Sequence, residues 1–323
     1  MVRSSLYTRA HRPIYAVMGL ATSGQVGIRL TDAELRDSFE REGYVVVRGL
    51  FPREDILALR DYTAALVDPG SHGTVPRYMQ TAVNADGAVK MIKASGLADH
   101  DSRFNELATR PALVDVVEAL LGPGARRFRD VLVVKPGRTG GALSYHQDSA
   151  YWDVEPKALV STWIALGDVT ENGSCLSVVA RTHTKDIEHT LYIRGRYKVP
   201  QPITRGLRRL VSLAGTGDNP TGAGGSILAW KAKRWVLAET TKYAPVLFDL
   251  QDFRVPPSAL EGQREVFLPV QAGDVIFFHS LLWHASGPNQ SDVTRFAEII
   301  SFMGATARFV GRGAGNFPLA RKP

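Results

Sequence analysis

The chain has 323 residues, 44% hydrophobic and 22% charged, which supplies a core and excludes the low-hydropathy composition of a disordered protein. Its single cysteine, Cys175, excludes an intramolecular disulfide and fits a reducing, cytoplasmic compartment. The net charge of +7 suits an anionic substrate or cosubstrate, but no nucleic-acid motif or interleaving of aromatics with basic runs accompanies it.

In chain order, residues 1–30 read as an N-terminal arm. Arg3, Arg9, Arg12 and Arg29 precede the first acid, Asp32, a weak likeness to an organelle transit peptide. The apolar run Ile14 to Ala21 is too short to span a membrane, and no later segment reaches that length, so no membrane partner is expected. From residue 31 to 323 the pattern is that of one domain. Thr31-Asp32-Ala33-Glu34 is a capping box, opening a helix over Leu35 and Phe39 that stops at Gly43. Tyr44 to Val47 reads as a strand, Pro52 starts a second helix, and Pro111 to Leu121 forms a third before Gly122-Pro123.

Thereafter the chain reads as mostly β. Strands are predicted at Phe128–Val134, Leu159–Leu166, Cys175–Val179, Glu265–Val270, Val275–Phe278 and Arg295–Phe302, with turn residues between them. Helices first and short strands afterwards predict a mainly β, α+β architecture. We read it as a double-stranded β-helix (jelly roll, cupin-like) braced by N-terminal helices. Residues 184–264 carry two glycine-rich runs and basic ends, and read as a long insert or lid over the barrel mouth.

Two distant stretches carry the chemistry. His146-Gln147-Asp148 supplies an imidazole and a carboxylate two residues apart, which a strand would set on one face while Gln147 turns away. His284 supplies a second imidazole, and Arg295 follows on what reads as the returning strand of a hairpin. Two histidines and one carboxylate on one face of a metal leave the opposite positions open, as in non-haem Fe(II) oxygenases. Arginine there suits a bidentate clamp on a carboxylate. His279 lies at an odd spacing from His284 and reads as part of the barrel wall.

With these residues in place, the chain resembles the phytanoyl-CoA dioxygenase family of Fe(II)/2-oxoglutarate oxygenases, from about Thr31 to Phe302 outside the insert. The family's His-x-Asp corresponds to His146 and Asp148. Its distal segment matches His284, Ser286, Asn289 and Arg295, and its Trp-Ile-Ala-Leu strand and Asn-Gly turn match Trp163 to Leu166 and Asn172-Gly173. Its lysine-proline strand end matches Lys135-Pro136. The resemblance implies Fe(II) on His146, Asp148 and His284. It also implies 2-oxoglutarate held by Arg295 and Ser286 in a pocket lined by Lys135 and Trp163, and O2 as the oxidant. Related halogenases replace the carboxylate by a small residue, so Asp148 favours hydroxylation of a small-molecule substrate. Desaturation, epoxidation and cyclisation are the alternatives within this chemistry. A cupin-type isomerase or a jelly roll that binds without turnover is the alternative outside it. The family's Pro-Gly-Ser-His is here Ala180-Arg181-Thr182-His183, a departure that leaves the substrate class open. Tyr151, Trp152, Trp230 and Trp235 are the candidate walls of an apolar substrate pocket.

Overall fold

The computed structural model describes residues 15–17, 31–67, 79–83, 89–193, 197–198, 251–310 and 317–321. Strand β1 (Tyr15–Val17) precedes helix α1 (Asp32–Glu42), which starts at the capping box. Thr31 Oγ1 accepts from the Glu34 N–H at 3.3 Å, and the Glu34 carboxylate accepts from the Thr31 N–H at 2.8 Å. Two helix-start donors are thereby satisfied. Gly43 ends the helix with a φ of +83°, the left-handed cap. A Cβ built there would lie 2.4 Å from His183 Nδ1. Gly43→Ala should therefore lower stability by about 2 kcal/mol. A chemical-denaturation midpoint unchanged from wild type would contradict this cap.

Strand β2 (Tyr44–Arg48) and helix α2 (Arg53–Val67) follow, the latter just after Pro52. The next four elements escaped the sequence reading: β3 (Met79–Val83), β4 (Val89–Ser95), α3 (Leu97–His100) and α4 (Ser102–Ala108). The first two form a sheet-edge hairpin with lysines at 90 and 93. The helices are too short for a 3.6-residue period to show. Helix α5 (Pro111–Leu121) runs between its proline and glycine as read.

The strands β5 (Arg126–Lys135), β6 (Leu143–His146), β7 (Val154–Glu155), β8 (Leu159–Ala165) and β9 (Leu176–Val179) come next. After them β10 (Thr190–Ile193) pairs antiparallel with both β11 (Tyr197–Lys198) and β12 (Gln251–Arg254). The ends of the stretch read as an insert are thus zipped together, and residues 199–250 lie outside the described ones. Helix α6 (Pro257–Leu260), β13 (Glu265–Leu268), β14 (Val275–His279), β15 (Trp283–Ser286), β16 (Arg295–Met303) and β17 (Arg308–Phe309) complete the order.

An eight-stranded sheet runs β1-β2-β14-β8-β16-β5-β4-β3 and faces a four-stranded sheet, β13-β9-β15-β6. Every neighbour pair is antiparallel except β1–β2. This is the double-stranded β-helix. Strand alternation divides its core in two. Val45, Val47, Leu132, Ile164, Phe277 and Ile300 pack outward with Leu35, Phe39, Leu113 and Val117 of the helices. Val46, Trp163, Ile276, Phe278 and Ala297 pack with Leu176, Val178 and Leu268 between the sheets. Each such buried side chain contributes roughly 1.5–3 kcal/mol, so the helices brace the larger sheet and leave its inner face to the site.

One expectation is corrected. The segment from His284 to Arg295 is not a hairpin, because β15 pairs with β6 and β9 whereas β16 pairs with β5 and β8. The chain crosses from the small sheet to the large one between them, and Arg295 faces the histidines across the barrel. Among the described residues no helix is long and apolar enough to cross a membrane.

Candidate metal centre

His146 closes β6 and is the direct cross-strand partner of His284 on β15. Direct partners share a face, so both imidazoles point into the barrel, with ring centroids 4.2 Å apart. Asp148 lies beyond the strand, in a 3-10 turn over Asp148–Ala150. Gln147 before it keeps an extended backbone, φ −112° and ψ 131°, so strand alternation carries past the end of β6 and sets the carboxylate on the His146 face. Its Oδ1 lies 3.6 Å from His146 Nε2 and 3.5 Å from His284 Nε2. The three ligand atoms all fall within 4.8 Å of one another, which is close enough to share one ion. Gln147 does turn away: its amide nitrogen donates to the carbonyls of Lys185 and Leu281, anchoring both stretches beside the site.

Hydrogen bonds fix which ring nitrogen faces the centre. His146 Nδ1 lies 2.8 Å from the Ser144 carbonyl and His284 Nδ1 lies 2.9 Å from that of Leu282. A carbonyl only accepts, so each Nδ1 carries the proton and each Nε2 presents its lone pair to the centre. Burial, and then His284, lowers the pKa of His146. For Asp148 burial opposes ionisation, but His284 and His146 outweigh it and hold the carboxyl well below the usual range. Metal ligands must be deprotonated, and an ionised Asp148 meets that need.

Asp148 Oδ2 accepts a 2.7 Å hydrogen bond from Ser161 Oγ, which is 3.0 Å from Ser301 Oγ. These two serines were missed in the sequence. The signal was faint, because each is one small polar residue in a strand that carries other polar residues, Thr162 in β8 and Arg295 and Glu298 in β16. Ser161→Ala should weaken Fe(II) binding by about 10- to 100-fold without unfolding the barrel. Equal Fe(II) affinity in a chelator competition would show that Ser161 does not orient the carboxylate.

A second pocket lies along the same inner face. Arg295 on β16 and Lys135 on β5 are direct partners, and both are buried. Lys135 is no solvated strand end: its Nζ donates to Ser286 Oγ at 2.6 Å, Ser174 Oγ at 2.9 Å and the Gly287 carbonyl at 2.8 Å. Ser286 thus meets Lys135 directly. Asn289 braces the crossing loop, its amide donating to the carbonyls of Lys135 and Val293. Trp163 is buried with its ring 5.4 Å from the Arg295 Cζ. Arg295 differs from these neighbours. Its Nε is buried without a hydrogen-bond partner, and no acidic side chain pairs with it among the described residues. Burial pushes its pKa down to about 10, which leaves it charged at neutral pH. Such a guanidinium lacks a carboxylate, and a carboxylate ligand supplies one.

The candidate substrate residues are placed unequally. Tyr151 is 39% exposed, stands edge-on to His146 at 5.9 Å, and accepts a hydrogen bond from the Phe253 N–H on β12 at 2.9 Å. Trp152 is buried in a separate core cluster with Val154, Leu159 and Met303, its ring against Phe128. Trp230 and Trp235 lie outside the described residues. His279 packs against His183 and Phe39 in the barrel wall. His183, kept from the departed motif, bonds the Glu40 carbonyl at the end of α1.

The family whose model matches the chain is described as phytanoyl-CoA dioxygenase (PhyH), over residues 39–211 and 231–297. The match takes in much of the stretch read as an insert. Among curated proteins, human peroxisomal phytanoyl-CoA dioxygenase is 24% identical over 285 residues, 86% of this chain and 70% of that protein. The L-proline trans-4-hydroxylase of Streptomyces griseoviridis is 27% identical over 217 residues, 59% of this chain and 77% of that protein. Among solved structures, the epimerase SnoN in complex with Fe3+, alpha ketoglutarate and nogalamycin RO aligns with a TM-score of 0.57 at 20% identity. That alignment covers 90% of this chain and 98% of the other, a likeness of fold.

Proposed function

The chain belongs to the phytanoyl-CoA dioxygenase family, and from that premise we propose that it is an Fe(II)- and 2-oxoglutarate-dependent oxygenase that hydroxylates a small-molecule metabolite or natural-product intermediate. The observation that carries the reading is the orphaned guanidinium of Arg295 in the same barrel as an open-faced His-Asp-His set. A cupin-type isomerase needs the second of these and not the first, and a protein that binds a carboxylate without turnover needs the first and not the second.

His146, Asp148 and His284 hold Fe(II), with Asp148 as the one anionic ligand and Ser161 orienting it. Arg295 receives the distal carboxylate of 2-oxoglutarate, Ser286 and Lys135 complete the polar end of that pocket, and Trp163 walls it. Bound there, the iron and cosubstrate supply oxidation of an unactivated C–H bond by O2, with succinate and CO2 as co-products. The protein's own work is to orient the reactants and exclude water. Tyr151 stands on the His146 side, at the exposed edge where substrate enters.

An epimerase shares this fold, and epimerisation, which adds no oxygen atom to a product, is the rival outcome. Turnover with a candidate substrate under 18O2 separates the two. Hydroxylation predicts Fe(II)-dependent succinate release and one labelled oxygen in the product. Succinate release without labelled product would replace hydroxylation by epimerisation, desaturation or ring closure, and no succinate across a broad substrate panel would count against the oxygenase itself.

A further inference from the structure

Strand β5 opens with three guanidiniums of different fates, at Arg126, Arg127 and Arg129. Arg126 donates to the carbonyls of Gly304, Ala305 and Ala307, and Arg127 pairs with Asp99. Arg129 has neither an acidic partner at ion-pair distance nor a hydrogen bond among the described residues. It is partly buried and keeps access to solvent, unlike Arg295.

The register places it. Arg129 is the direct partner of Ser301 on β16, and Ser301 is the direct partner of Ser161 on β8. Direct partners across antiparallel strands stand on one face, and Ser161 on that face bonds the Asp148 carboxylate. Arg129 therefore stands on the inner face, level with the metal ligands and two strand spacings, about 10 Å, from Ser161. Lys135, beside Arg295, lies six residues along the same strand, about 20 Å away. An anion at Arg129 is thus not the one Arg295 receives. The Trp152 ring lies 5.9 Å from its Cζ, and burial lowers its pKa while Asp148 and Asp130 oppose the shift.

We propose that Arg129 anchors an oxyanion, carboxylate or phosphate, carried by the substrate, and so holds the substrate's reacting carbon over the metal ligands. The proposal rests on the oxygenase reading and narrows it to anionic substrates. A partly buried guanidinium with no acidic partner at ion-pair distance binds such a group by paired charge-assisted hydrogen bonds that a neutral amide cannot replace.

The test loads the full-length protein anaerobically with Fe(II) and saturating 2-oxoglutarate, so that Arg295 is occupied. It is then titrated with phenylacetate, phenyl phosphate and the neutral phenylacetamide, reading tryptophan fluorescence. Wild type should bind one or both anions. R129Q should bind them at least about tenfold more weakly, R129K should retain part of the affinity, and the amide should not distinguish the proteins. The two anions separate a carboxylate from a phosphate preference. Equal affinities in wild type and R129Q, or no anion binding by wild type, would overturn the proposal. So would weaker Fe(II) binding in R129Q with anion binding intact, which would make Arg129 a charge partner of Asp148 instead. The visible band of the loaded protein is recorded in parallel. Its absence in wild type would sink the oxygenase reading, while the fluorescence titration still decides the role of Arg129.

Discussion

Asp148→Ala should abolish 2-oxoglutarate turnover and weaken Fe(II) binding by at least about a hundredfold, with the fold intact. The carboxylate is the only anion in the triad, and it lies 3.5–3.6 Å from both imidazole Nε2 atoms. Without it, two buried imidazoles face a divalent charge that nothing in the triad neutralises. The cost to folding is smaller. Asp148 sits in a 3-10 turn after β6, and the side-chain bond it loses is the one from Ser161. Circular dichroism and the melting temperature of the metal-free protein should therefore stay near wild type while Fe(II) ceases to raise it. Asp148→Ala with wild-type Fe(II) affinity would mean that the metal sits elsewhere.

Arg295→Leu should separate binding from stability in the opposite direction. The guanidinium is buried, and its Nε has no hydrogen-bond partner. Removing an uncompensated buried charge should raise the stability of the ligand-free protein by about 1–3 kcal/mol. The same change should raise the KM for 2-oxoglutarate by about 30-fold or more, because truncating one member of a desolvated charge pair costs about 2–5 kcal/mol. Wild type should melt higher on adding 2-oxoglutarate, and the variant should not. A destabilised variant with unchanged KM would make Arg295 a structural residue whose partner lies elsewhere in the chain.

Much of the site was legible because its chemistry depends on residue type and spacing. His146, Asp148 and His284 had to be two imidazoles and a carboxylate, and Arg295 had to be a cation with a planar fork. The paths that bring them together were less legible. His146 and Asp148 converge as their two-residue spacing implies, because Gln147 stays extended, but the 3-10 turn that follows is not announced by three residues against a background of strands. Arg295 reaches the histidines by changing sheets, and a hydrophobic pattern alone does not say whether a returning strand pairs with its predecessor. Ser161 and Ser301 were hidden for another reason: each is one small polar residue whose partner appears only when β8 and β16 lie side by side. The helices α1 and α5 were plain because caps and prolines mark their ends. The β3–β4 hairpin was not, since neither Met79–Val83 nor Val89–Ser95 alternates apolar with polar residues cleanly, Lys90 and Lys93 interrupting the second.

The most direct test of the central claim is an anaerobic titration of metal-free protein with Fe(II) and then 2-oxoglutarate, watching for the weak visible charge-transfer band of a chelated 2-oxo acid. The band should appear in wild type, vanish in Asp148→Ala, and appear only at far higher 2-oxoglutarate in Arg295→Leu. A folded, Fe(II)-bound wild-type protein that develops no band would contradict the claim and leave the triad as a metal site without this cosubstrate.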